Sequence, residues 1–234
     1  MDRVFDLWTP QPAPPHSLVL VTGLVALAVV VSRPAWRLAR MAVTIAHEGG
    51  HALIAVLSGR RLQAIQLRFD TSGLTLTKGR RHGLGMFLTL FIGYVAPSLL
   101  GLGGAFTLAN HRIKLTLWIT LALLFLMLVM IRNFYGLLAI LVTGGIVFGI
   151  TWYASAQVQA AFAYTGIWFL LIGGVRPVFE LGAQRRRGRA RDSDADQLAA
   201  LTHLAGGFWV FLYAVLTMAA LALGAFLLGV RGAH

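Results

Sequence analysis

Residues 133–175 constrain this chain more than any other stretch: 43 residues without one Asp, Glu, Lys or Arg. A membrane-crossing helix needs roughly 20 apolar residues, so this run is too long for one helix and about right for two. The more polar stretch 151–159 (TWYASAQVQ) marks the break between them. Comparable apolar runs occur at 17–32, 41–57, 83–110, 115–131 and 207–230. A soluble domain of this length would carry about 25% charged residues; here they are 12%. The expected fold is therefore an all-α polytopic membrane protein with about seven transmembrane helices.

The segments between the runs differ in kind. Residues 1–16 form a head with four prolines, which prevents a helix throughout. Residues 17–234 read as a single membrane domain. The first run follows Arg3, as in a signal peptide, but it leads directly into more membrane sequence, and the expectation is a retained helix. In region 58–82, Ile65, Leu67 and Phe69 alternate with polar residues. Asp70-Thr71-Ser72-Gly73 then signals a turn, and Leu74 and Leu76 resume the alternation, which predicts a small β-hairpin. Region 176–206 is a basic and then acidic loop leading to the last span.

The net charge is +12. The arginines lie in short segments between apolar runs, a pattern that sets topology and meets anionic membrane lipid and does not suit nucleic acid. The loop after the sixth span is the most basic, and the turn between the fifth and sixth has no charge. The first is placed in the cytoplasm and the second outside. Counting back puts the hairpin inside and Arg33, Arg37 and Arg40 outside, against the rule, unless the second helix does not fully cross.

That second helix carries MAVTIAHEGGHALIAVL, with His47, Glu48 and His51 in an H-E-x-x-H pattern. On a helix, positions 47 and 51 are one turn apart, roughly 6 Å along the axis. Both imidazoles leave one face and can hold one Zn²⁺, with Glu48 beside it as a base for water. From this chain's His and Glu content, the pattern arises by chance in roughly one such chain in several hundred. Two His and a Glu in one apolar helix also point to a functional site. Ala46, Gly49, Gly50 and Ala52 would let a neighbouring helix approach closely.

A catalytic zinc site takes three protein ligands. There is no Cys, so the third is His, Asp or Glu. Of the eight acids, Asp2 and Asp6 are in the head and Asp70 is at the hairpin turn. Glu180, Asp192, Asp194 and Asp196 remain, all on the side that the motif helix approaches. The same acids suit a helix start, with Ser193 and Asp194 as caps. His203 is a rival ligand, whereas His16, His82, His111 and His234 read as loop or terminal residues.

The segments AHEGGHALIAVLSGRRL, SGLTLTKG, GYVAP, RNFYG and RDSDADQLAALT, in this order, resemble the site-2 protease group, the M50 intramembrane metallopeptidases. The likeness is greatest to their bacterial M50B-like branch. It implies a zinc-dependent endopeptidase that cuts transmembrane protein substrates within the plasma membrane, its site nearer the cytoplasm. It implies His47 and His51 as ligands and Glu48 as catalytic base. The Asn-Pro…Leu-Asp-Gly motif of many site-2 proteases is missing. Its nearest echo is RPVFELG, with Glu180 where Asp would stand. The SDAD segment matches the M50B-like branch, so Asp194 is the first choice of third ligand, with Asp196, Glu180 and Asp192 as alternatives. The hairpin strand with Leu74, Thr75 and Leu76 could hold substrate by edge pairing, and Asn133 could bind substrate backbone. The same residues also fit a non-catalytic pseudoprotease that binds partners, or a metal carrier. The carrier is disfavoured by the scarcity of further acids or His along the spans.

Overall fold

The computed structural model describes residue 7 and residues 9–188 and 192–230. Asp2, Arg3, Asp6 and His234, all weighed above, and residues 189–191 of the basic loop lie outside the described residues. The elements in order are α1 (His16–Val31), α2 (Arg33–Leu57), β1 (Arg61–Leu67), β2 (Gly73–Lys78), α3 (Leu84–Ala109), α4 (Ile113–Met130), α5 (Phe134–Tyr153), α6 (Ala156–Arg186), α7 (Asp194–Thr202) and α8 (Gly206–Val230). The protein is an all-α polytopic membrane protein with one small antiparallel hairpin.

Each of the seven apolar runs is a helix. The long charge-free run breaks at Ser155, whose side chain accepts from the Val158 amide and caps α6. The Gln159 side-chain amide donates to the carbonyls of Thr151 (3.0 Å) and Ala154 (3.1 Å). These late carbonyls of α5 would otherwise lack a partner.

Five helices are long and apolar enough to cross a membrane: α3, α4, α5, α6 and α8. The first two runs supply at most one more crossing, because α1 and α2 form a pair bent by 103°. Ser32 is extended and Pro34 falls in the first turn of α2. A proline there suits a helix start and cannot continue the helix before it, so the chain turns at this point.

The bend fits the alternative that the second helix does not fully cross, so that Arg33, Arg37 and Arg40 need not lie at the end of the bundle opposite the basic loop. The Arg176 and Arg40 guanidinium groups lie 4.8 and 5.8 Å from the centre of the Trp36 ring. Arg40 is 3.6 Å from the Glu180 carboxylate, and Arg176 donates to the Val30 carbonyl. Arg176 and Glu180 belong to the half of α6 that ends in Arg185 and Arg186. The elbow therefore lies at the same end of the bundle as the basic loop. From there α2 turns into the bundle and does not return across it.

Helix α3 is the central post, packed on α2, α6 and α8. A Cβ at Gly101 would meet Leu171 of α6, and one at Gly104 would collide with Ile167. With lipid as apolar as the side chains, such close approach supplies van der Waals contact that helix association in a membrane needs. Phe125, Leu126, Leu141, Val142, Phe211 and Phe226 are exposed on the outer faces, where lipid would cover them.

In the hairpin, Arg61 pairs with Lys78 and Leu67 with Gly73. The Asp70 carboxylate accepts from the Ser72 amide (3.0 Å) and hydroxyl (2.6 Å), which fixes the turn. The Thr44 hydroxyl of α2 donates to the Thr71 carbonyl at 2.8 Å, pinning the tip to that helix. On the other side, Ile65 and Leu67 are buried in one cluster with Met127, Ile131 and Ile140.

The chain is free of Cys, so single cysteines can report on this topology. In sealed vesicles, Arg37→Cys and Arg186→Cys should react with an impermeant maleimide from one side, and Ser155→Cys from the other. Labelling of position 37 together with position 155 would contradict the bent pair.

Candidate metal centre

His47 and His51 share the face of α2 that lies against α3. They fit there because Gly93 of α3 has no side chain: a Cβ at that position would overlap both rings. The His51 Nδ1–H donates to the Thr89 carbonyl of α3 at 2.6 Å. With its proton on Nδ1, the ring presents a free lone pair at Nε2. Such an outer hydrogen bond orients metal-binding histidines generally. Tyr94 meets the His47 ring edge-on at 4.9 Å and stacks on Tyr213 of α8 at 5.2 Å.

The third group is Asp194, the first residue of α7. Its Oδ2 is 3.4 Å from His47 Nε2 and 3.2 Å from His51 Nε2. The two Nε2 atoms are 3.1 Å apart. Among the described residues this is the group of His and acids able to share one metal ion. A tetrahedral ion with ligands at 2.0–2.2 Å sets its donors roughly 3.3–3.5 Å apart. The three observed separations are close to that spacing, and two imidazoles with one carboxylate form a known catalytic zinc donor set. The residues fit the metal.

Among the described residues, none of the other candidate ligands joins this group. Ser193 caps α7: its hydroxyl accepts from the Asp196 amide at 3.3 Å and donates to the Asp196 carboxylate at 2.6 Å. Arg185 donates to the other Asp196 oxygen. Desolvation raises the pKa of Asp196, but these partners outweigh it and hold the carboxyl below its ordinary value. Asp196 thus fixes the helix start, and Asp194, two residues earlier, reaches the histidines. Glu180 is paired with Arg176 at 2.8 Å and Arg40 at 3.6 Å. Asp192 adopts a left-handed backbone conformation, and its carbonyl accepts from Gln197. His203 is the left-handed C-cap of α7.

Glu48 is buried at 4% exposure. Its Oε2 accepts from the Thr75 hydroxyl of β2 at 2.6 Å. Gly73 completes its surroundings, since a Cβ there would overlap the carboxyl group. Thr75 therefore points inward, while Leu74 and Leu76 are exposed. β2 pairs with β1 along one edge, and the sheet has two strands. Beside β2 is a cavity of about 740 Å³ lined by Thr75, Thr77 and Lys78, by Met86 and Leu90 of α3, and by Gln197 of α7.

The Asn133 side chain, expected to meet substrate backbone, is hydrogen-bonded to β1. Its side-chain amide donates to the Leu67 carbonyl at 2.6 Å and accepts from the Leu67 amide at 3.1 Å. Both of its hydrogen-bonding ends are spent on β1, so it fastens the hairpin to the start of α5.

Sequence reasoning did not single out Thr89, Gly93 or Tyr94 as parts of the site. The Thr89 contribution is a backbone carbonyl, which leaves no trace in residue type. Gly93-Tyr94 is visible as the start of the GYVAP segment of the resemblance, but residue type and spacing alone give it no role at the site.

A family model described as Peptidase M50B-like matches residues 20–224. No curated protein and no solved structure matches the chain.

Gly93→Ala removes no ligand but pushes a methyl group into both imidazoles. Its zinc affinity, measured by competition with a chromophoric chelator, should fall roughly tenfold or more, the scale of losses from disturbed ligand support. Unaltered affinity would mean that the two rings are not held where they are seen.

Proposed function

The chain belongs to the M50B-like peptidase family, and on that premise we propose that it is a zinc-dependent intramembrane endopeptidase acting on transmembrane protein substrates. The observation that carries the reading is the meeting of His47, His51 and Asp194, with the buried Glu48 carboxylate one residue from the first of them. His47, His51 and Asp194 would hold Zn²⁺, which when bound supplies a Lewis acid for the scissile carbonyl and makes water more acidic.

The remaining work falls to the chain. Glu48 takes a proton from the attacking water and delivers it to the leaving amine, the role for which a carboxylate beside the reacting centre is suited. The Thr75 hydroxyl orients that carboxylate. Burial keeps bulk water from competing for it. A helical substrate hides its peptide groups, so it must unwind before cleavage. The second edge of β2 at Leu74, Thr75 and Leu76 offers backbone partners to an extended segment, and Leu74 and Leu76 offer apolar contact. The cavity beside β2 leaves room for that strand. Asn133 holds β1, the strand that backs β2, through its two hydrogen bonds to Leu67.

The elbow, the hairpin and the basic end of α6 share one end of the bundle. By the positive-inside rule that end is cytoplasmic, in a bacterial plasma membrane.

Glu48→Gln keeps the shape of the side chain and loses the base. In proteoliposomes it should cut a membrane substrate about 10²–10⁴-fold more slowly while retaining its metal, the usual contribution of a positioned acid–base group. Equal cleavage by this variant would remove Glu48 from the mechanism. No cleavage by the wild-type chain, with metal bound, would favour a non-catalytic role.

Chelation supplies an independent check. Treatment with 1,10-phenanthroline should abolish cleavage, and added zinc should restore it. Activity that survives complete metal removal would exclude a zinc peptidase.

A further inference from the structure

Beside the elbow, between the first turns of α2 and the later half of α6, is a second cavity of about 410 Å³ that shares no lining residue with the metal centre. It is lined by Arg33, Trp36, Arg37 and Arg40 of α2 and by Arg176 and Glu180 of α6. Positions 33, 36, 37 and 40 form one stripe of a helix, so the stripe faces α6 as a unit. Four guanidinium groups and a single carboxylate thus line the cavity. Glu180 is already divided between Arg176 and Arg40. Arg33 and Arg37 are exposed and have no ion pair or hydrogen bond from their side chains among the described residues. The cavity therefore carries a net charge of about +3 with two uncommitted planar donors, a setting that suits bidentate binding of phosphate oxygens.

Its surroundings identify the source of that phosphate. The elbow is at the end of the bundle where the basic loop emerges, and Trp36 is a residue type favoured at the headgroup level. Large apolar residues next to the lining positions are exposed: Val31 just before the elbow, Leu38 after Arg37 and Phe179 before Glu180. A free anion has no use for such surface, whereas acyl chains would cover it. We propose that this cavity is a binding site for the phosphate headgroup of an anionic phospholipid, with Arg33 and Arg37 as its principal ligands. Basic pockets between transmembrane helices take anionic headgroups in this manner. The bound headgroup offsets the mutual repulsion of the arginines and fastens α2 to α6. Arg40 is two turns before His47, roughly 10 Å along the same helix, so the lipid braces the helix that carries two of the metal-binding groups. The site does not depend on the peptidase reading.

The test uses the purified full chain in a neutral detergent, with thermal unfolding followed as short-chain lipids are added. Phosphatidylglycerol should raise the melting temperature of the wild type, and phosphatidylcholine and inorganic phosphate should not. Arg33→Gln/Arg37→Gln should melt no lower than the wild type without lipid, since both residues are exposed and their removal relieves repulsion in the cavity. Its apparent affinity for phosphatidylglycerol should fall roughly tenfold or more, as two basic groups are removed from a phosphate site. Arg80→Gln/Arg81→Gln, with the same charge change at the hairpin, should keep the full response. Three results would overturn the proposal: an unchanged lipid response in the elbow variant, an equal loss in the hairpin variant, or an equal shift with inorganic phosphate.

Discussion

The structure depends on holding ionisable groups inside a membrane bundle where each alone would be unfavourable. Two imidazoles and two carboxylates lie among apolar helices, far from the solvation they have in water. The arrangement is tolerable because they converge. His47, His51 and Asp194 share one small volume, His51 is satisfied on its far side by the Thr89 carbonyl, and Glu48 has the Thr75 hydroxyl. Each of these contacts comes from a different element. The site is thus assembled by tertiary packing, and α2, α3, α7 and β2 must all be in place for it to exist.

That requirement accounts for the bend at Ser32. A straight helix running from α1 through α2 would have spanned the roughly 30 Å hydrocarbon core by about Arg37 and would carry His47 and His51 out beyond it. The 103° turn instead leaves Arg33, Arg37 and Arg40 at the bundle's basic end, against Glu180, and sends only the apolar half of α2 inward. The polar machinery then gathers at one end: the elbow, the hairpin, the capped start of α7 and the basic end of α6. The remainder of α3, α4, α5, α6 and α8 is an apolar frame, held by close approaches such as Gly101 on Leu171.

Much of this was legible in the chain. The apolar runs gave the helices, and the 133–175 run gave even the break between α5 and α6. Asp70 to Gly73 gave the hairpin turn. The H-E-x-x-H spacing put two imidazoles on one face, because helical period alone decides that. The rest could not be read from residue type and spacing, and only the resemblance put Asp194 before the other acids. Whether an apolar helix crosses or bends depends on what its basic end can pair with, and Glu180 is 140 positions from Arg40 in the chain. The choice among four acids turned on which one the Ser193 cap consumes and which one the start of α7 turns inward, a difference of two residues. The occupation of Asn133 by Leu67 follows from long-range docking in the same way.

X-ray absorption at the zinc edge of the metal-loaded protein would address the central claim most directly. The expected spectrum has nitrogen and oxygen donors at about 2.0–2.1 Å, with the multiple scattering of two imidazoles and no sulfur, and Asp194→Ala should change the oxygen part of that shell alone. A shell with one imidazole or none, or a shell unaltered by Asp194→Ala, would contradict the account.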